Sequence, residues 1–150
     1  MIGSVTKQFR NFGVFSKTCS RMTRSYSHYM PTEAVSQEVI TIETDVEARQ
    51  MLDVLKKYPN HPFACDTEVA DIDVRKVGPV GNGDVICISI YGGPDIEFQK
   101  GFPGQTLWVD NLDLSEGVLS EFSEWFKDPQ YKTVWHNFGF DKHVLRNEGM

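Results

Sequence analysis

The sequence has 150 residues, of which 40% are hydrophobic and 24% charged, and its formal net charge is −6. This composition is ordinary for a globular protein, the length suits a single core, and no apolar run approaches the roughly 20 residues of a membrane-spanning helix. The charge is unevenly distributed, since residues 1–30 carry five basic and no acidic side chains, which leaves −11 for residues 31–150. So acidic a body argues against a broad nucleic-acid surface that ignores sequence.

Residues 1–30 have the composition of an organelle transit peptide, being basic, free of acids and rich in Ser and Thr. The stretch 24–27, Arg-Ser-Tyr-Ser, resembles the site cut by the mitochondrial processing protease. We therefore predict a leader over 1–30 and a folded domain over 31–150. The mitochondrion is the favoured location, with a plastid or dual targeting as the alternative. A disordered basic tail is the competing interpretation of the leader.

The first half of the body predicts two strands flanking a helix, then a long loop and a third strand. Residues 38–43 are rich in β-branched side chains, which favours a strand. Thr44 and Glu47 form a capping-box pattern that starts a helix at Asp45, and Pro59 ends it. Residues 63–69 and 85–91 are predicted strands, joined by a loop with strong turn signals over 70–84. The apolar 85–91 segment is typical of a strand covered on both faces.

The second half predicts a strand over 106–110, after a Gly/Pro-rich connection, and another over 131–136. Between them we predict a helix that starts at Asp113 or Ser115 and ends at 128–129, Asp-Pro. A last helix opens at Gly139 or Phe140. The fold is therefore predicted to be α/β with a mixed sheet, in which strands 63–69, 85–91 and 106–110 form a meander and strand 131–136 lies parallel beside 63–69.

Two acids lie two residues apart inside the predicted strand 63–69. Asp66 and Glu68 must project from the same face of a strand, whereas Thr67 points to the other face. Like charges so placed are costly unless a cation neutralises them, and a hard divalent ion such as Mg²⁺ or Mn²⁺ prefers carboxylate oxygens. The alternative is an Asp and a Glu on a solvated edge strand.

A second group of polar and aromatic residues lies at the junction of strand 131–136 and the last helix. It contains Asn137, Phe138 and Asp141, and loops at strand ends are where α/β sheets place ligands. If the two strands are neighbours, Asp141 in the first helical turn can face Asp66 and Glu68. Taken alone, Asp141 is equally a first-turn acid that the helix N-terminus favours, and Asn137 a turn residue.

Together these two motifs resemble the 3′–5′ exonucleases that carry four acidic residues. Asp66-Thr67-Glu68 matches their first motif, and Asn137 to Asp141 (Asn-Phe-Gly-Phe-Asp) matches their second. The flanking residues are similar to the exonuclease domain of plant- and protist-type organellar DNA polymerases of the polymerase I type. The resemblance covers about residues 38–150 and implies a ribonuclease H-like fold.

The resemblance implies hydrolysis of phosphodiester bonds at DNA 3′ ends with two ions, Mg²⁺ or Mn²⁺. By position, Asp66 would contact both ions, Glu68 the ion that holds the attacking water, and Asp141 the other ion. Thr67 and Asn137 would contact the terminal nucleotide or orient the site, and Phe138 would stack on a frayed base, with core packing as the alternative for the ring. The implied partner is a single-stranded DNA 3′ end, with RNA as an alternative, and a polymerase domain is expected in the same full-length chain.

The family also has a third motif, a Tyr or His followed by a fourth Asp, and this sequence does not contain it. We therefore expect an N-terminal piece of a 3′–5′ exonuclease domain, with a sheet that is incomplete at the C-terminus and weak or no catalysis by the 150-residue chain alone. The alternative functions are a stand-alone exonuclease of the same fold that acts on RNA or DNA ends and a non-catalytic nucleic-acid-binding remnant.

Overall fold

A computed structural model describes residues 38–150, so the predicted leader lies outside the described residues. Seven strands occur in this range: β1 Val39–Ile42, β2 Pro62–Ala70, β3 Asp84–Tyr91, β4 Glu97–Gln99, β5 Phe102–Pro103, β6 Thr106–Asp110 and β7 Lys132–Trp135. Five of them form one sheet in the order β1-β6-β3-β2-β7, and β4 and β5 form a separate small hairpin.

The topology of the sheet confirms the predicted mixed α/β fold. β2, β3 and β6 are neighbours that pair antiparallel, which is the predicted meander. β7 pairs parallel with β2, with Cys65 opposite Trp135, as expected for a strand linked through helices. The far edge was not foreseen, because β1 pairs parallel with β6 across more than 60 residues of sequence.

Three α-helices occur in the described part of the chain: α1 Asp45–Leu55, α2 Ser123–Lys127 and α3 Phe138–Asn147. The predicted continuous helix from 113 or 115 to 128 is wrong. Two short 3₁₀ segments, Asp113–Ser115 and Val118–Phe122, precede α2, and Gly117 between them has a φ of 94°, a left-handed conformation that a continuous helix does not contain. None of the helices within 38–150 is long and apolar enough to cross a membrane.

The helices pack on one face of the sheet, which we call the covered face. The core joins strand residues such as Phe63, Ile88 and Leu107 to buried residues of α1, of the segment 118–127 and of α3. The other face, the open face, is formed by the alternate strand residues and leaves Trp108 38% and Val134 56% exposed. On the open face of strand 85–91, Cys87 is 2% exposed and Ser89 and Tyr91 are half-buried, so this central strand is largely buried on both faces.

The N-terminus of α1 has the predicted capping box, since the Glu47 N–H donates to the Thr44 hydroxyl and Glu47 accepts from the Thr44 N–H. Backbone N–H donation from Glu43, together with the Thr44 bonds, holds the pKa of Glu47 below its ordinary value. We expect Thr44→Ala to lower the free energy of unfolding by about 1 kcal/mol, because it leaves an N-terminal N–H unpaired. Urea denaturation measures this, with the exposed strand substitution Thr41→Ala as the control expected to change it far less. If Thr44→Ala lowers the free energy of unfolding no more than Thr41→Ala does, the predicted contribution of the cap is wrong.

Candidate active site on the open face

Asp66 and Glu68 lie side by side on the open face of β2, as the strand period predicts. Both are exposed. Thr67, between them, and Cys65, before Asp66, are buried on the covered face. Across the sheet Asp66 is opposite Ser89 and Glu68 is opposite Cys87. Neither carboxylate forms an ion pair with another described residue, so both are available to an external cation.

A third carboxylate, Asp110, belongs to the same region of the open face. It ends β6 and is opposite Cys87, so the order across the three strands is Glu68, Cys87, Asp110. Burial, and then the negative charges of Glu68, Asp110 and Asp66, raise the pKa of the Cys87 thiol to about 11. Sequence reasoning missed Asp110, because its neighbours follow only from the register of three strands.

Asp141 lies on the covered face and not beside the other two predicted carboxylates. It is in the first turn of α3, is 3% exposed, and accepts a hydrogen bond of 2.7 Å from the Thr67 hydroxyl. Burial and the charge of Asp141 raise the pKa of the Cys65 thiol, which places Asp141 on the Cys65 and Thr67 side of β2. Among residues 38–150, no three His, Cys, Asp or Glu side chains converge in a way that could hold a metal ion.

The hydroxyl of Thr67 is directed at Asp141 and is nearly buried. Asn137 and Phe138 lie where the sequence predicted, at the carboxyl end of β7. Asn137 has left-handed φ and ψ of 58° and 47° and makes no side-chain capping bond, so its exposed amide is available. Phe138 is 50% exposed and its ring lies 6.0 Å from the Trp135 ring.

Asp66 and Glu68 provide exposed carboxylate oxygens on one face with no competing cation, which is the chemistry that Mg²⁺ and Mn²⁺ prefer. They fit as two ligands of one ion. The Thr67–Asp141 hydrogen bond keeps the third predicted carboxylate on the other face, so the described residues present a partial site.

A family model and the curated relatives agree on one family. A family model described as 3′–5′ exonuclease, of the DNA polymerase A type, matches residues 39–150. DNA polymerase I B, mitochondrial, of Oryza sativa subsp. japonica is 45% identical over 118 residues, which are 77% of this chain and 11% of that protein. DNA polymerase I A, chloroplastic, of the same plant is 41% identical over 138 residues, covering 91% of this chain and 13% of the relative.

DNA polymerase I A, chloroplastic/mitochondrial, of Arabidopsis thaliana is 42% identical over 98 residues, covering 65% of this chain and 9% of the relative. The chain thus spans about an eighth or less of the length of these relatives. Among solved structures, the catalytic core of RRP6 from Trypanosoma brucei matches with a TM-score of 0.53 and 17% identity, over 77% of this chain and 27% of that one. At this identity the match shows the fold alone.

Proposed function

The chain belongs to the 3′–5′ exonuclease family of the DNA polymerase A type, and from this premise we propose that it removes nucleotides from the 3′ end of single-stranded DNA by hydrolysing phosphodiester bonds. The observation that carries the proposal is the pair Asp66 and Glu68, exposed together on the open face and unpaired with any described cation. The names of the plant relatives support a role as the proofreading part of an organellar DNA polymerase, with a polymerase domain in the same full-length chain.

Asp66 and Glu68 would hold the divalent cation, Mg²⁺ or Mn²⁺. When bound there, such an ion would supply an activated water and would stabilise the leaving 3′ oxygen. The family resemblance implies a second ion that needs a further carboxylate. At the carboxyl end of β7, the Asn137 amide and the exposed Phe138 ring would bind the terminal nucleotide. For Thr67 the 2.7 Å bond supports a different role, because its hydroxyl orients Asp141.

Organellar localisation is part of the same proposal. The predicted leader is basic and free of acids, and the relatives are named mitochondrial, chloroplastic or both. We favour the mitochondrion because the stretch 24–27 resembles the mitochondrial processing site. A fluorescent protein fused after residue 30 should accumulate in mitochondria, and retention in the cytosol would contradict the leader assignment.

The direction of cutting tests the function. A single-stranded oligonucleotide labelled at its 5′ end, incubated with Mg²⁺ or Mn²⁺, should yield a ladder that shortens by one nucleotide at a time. The same oligonucleotide labelled at its 3′ end should release labelled mononucleotide from the start. The assay is run on the 150-residue chain and on the longest natural polypeptide that contains it. The absence of the ladder from both, or a ladder starting from the 5′ end, would overturn the proposal.

A further inference from the structure

A small cleft lies between β7, the end of α2 and the outer side of α3, and we call it the β7–α3 cleft. Its volume is about 140 Å³. Aromatic rings form one part of its wall and cations another; the residues concerned are Phe126, Trp135, Phe138, Lys127, Lys142 and Arg146. No other cavity described in residues 38–150 combines these two kinds of side chain.

The cations of the cleft are unusual for this body. Residues 38–150 contain 20 acidic and only 10 basic side chains, yet three of the basic ones line this single cleft. Lys142 and Arg146 are exposed and form no ion pair with any residue in 38–150. Lys127 donates to the Gly149 carbonyl at 3.3 Å and lies 4.0 Å from Glu124, so it is already engaged. The two free cations are therefore available to an external anion.

The aromatic wall is built around Trp135. Its ring lies 6.0 Å from those of Phe126 and Phe138, and Phe138 presents half of its surface to solvent. The Trp135 Nε1 is buried and has no hydrogen-bond partner, although a buried indole N–H usually finds one. The half-exposed Phe138 ring is therefore the part of this wall on which a planar ligand can stack.

The position of the cleft connects it to the carboxylates. Trp135 is opposite Cys65 on the neighbouring strand, and Cys65 directly precedes Asp66. Neighbouring strands are about 4.8 Å apart, so the cleft and the pair Asp66 and Glu68 lie at the same end of the sheet, on its opposite faces. A DNA strand that reached from the carboxylates to the cleft would pass Phe138, at the carboxyl end of β7.

We propose that the β7–α3 cleft binds one nucleotide of a single-stranded DNA, with the base against Phe138 and Trp135 and the phosphate at Lys142 and Arg146. Base stacking on aromatic rings and cations that follow the phosphates are how proteins bind single strands without sequence preference. The proposal rests on the proposed function, because it continues the substrate contact already proposed at Phe138 into the β7–α3 cleft, on the same strand of DNA. It adds Trp135, Lys142 and Arg146 to the residues that bind substrate.

Binding without hydrolysis tests the charged part of the cleft. Fluorescence anisotropy of a labelled oligothymidylate is measured in EDTA, so that neither metal nor cleavage contributes. The double variant K142E/R146E should bind at least about 10-fold more weakly, and the slope of log K against log salt should become shallower by about 0.7, the value for the one phosphate that the two cations would contact. The matched control is K56E/K57E, which makes the same charge change at two exposed lysines at the end of α1. Equal weakening by both double variants would overturn the proposal.

Stacking is tested with a second pair of variants. Phe138→Ala should weaken binding by about 10-fold, whereas Phe102→Ala, which removes a ring of similar exposure (54%) from the β4–β5 hairpin, should leave it unchanged. Oligothymidylate should quench tryptophan fluorescence less in Trp135→Phe than in the parent chain, because Trp108, which is 38% exposed on the open face, remains in both. Unchanged quenching in Trp135→Phe would overturn the proposal that the cleft binds DNA, even if 3′-end hydrolysis is found. If the cleft binds DNA but no 3′-end hydrolysis is found, only the proposed function is overturned.

Discussion

Replacement of Asp66 by asparagine is expected to lower the rate of 3′-end hydrolysis by at least about 100-fold. The substitution keeps the size of the side chain and removes the negative charge that would hold the divalent cation next to the scissile phosphate. A bound metal ion contributes several kcal/mol to such a reaction, and a 100-fold loss corresponds to about 2.7 kcal/mol. The measurement is the initial rate at which the longest natural polypeptide that contains this chain shortens a 5′-labelled oligonucleotide at saturating Mg²⁺. Glu68→Gln should behave alike.

The matched control is Asp73→Asn. Asp73 is an exposed acid in the loop after β2 that pairs with Lys76 at 2.9 Å, so its replacement makes the same change in net charge away from the pair on the open face. Its rate should stay within about twofold of the parent, because exposed ion pairs contribute little. Similar losses in Asp66→Asn and Asp73→Asn would show that overall charge, and not a metal held by Asp66 and Glu68, governs the rate.

The sequence was sufficient for those features of the site that depend on neighbouring residues. The two-residue period of a strand places Asp66 and Glu68 on one face whatever the rest of the fold does. The parallel pairing of β7 with β2 also followed from the order of elements, because a helix-linked strand can return beside an earlier one. These features are correct even though the helix predicted before α2 is interrupted in the structure.

The placement of Asp141 could not be derived from the sequence in the same way. A first-turn acid can lie toward either side of a sheet, and the side is decided by which face the helix buries. In α3 the buried residues Val144 and Leu145 pack on the covered face and take Asp141 with them. That choice depends on the contacts of α3 with β2 and β3, which are distant in sequence. The row formed by Glu68, Cys87 and Asp110 likewise depends on the register of three strands.

The hydrogen bond between Thr67 on β2 and Asp141 on α3 should contribute strongly to the free energy of unfolding, because it joins α3 to the sheet. Both side chains are buried, at 9% and 3% exposure, and the two atoms are 2.7 Å apart. Thr67→Val keeps the shape of the side chain and leaves the Asp141 carboxyl without its donor. The free energy of unfolding should fall by about 2–3 kcal/mol in urea denaturation, since hydrogen bonds to charged groups lie in this range. Thr67→Ser keeps the hydroxyl and is the control, expected to lose less than half as much.

A double-mutant cycle with Asp141→Asn then separates two roles for Asp141. If it is an anchor between β2 and α3, the coupling energy with Thr67→Val should be at least about 1 kcal/mol, and saturating Mn²⁺ should not change it. If Asp141 leaves Thr67 to complete the site of Asp66 and Glu68, Mn²⁺ should abolish the coupling, because the bond is then absent from the metal-bound protein. The 2.7 Å bond between Thr67 and Asp141 supports the anchor. A coupling near zero without metal would contradict the hydrogen bond itself.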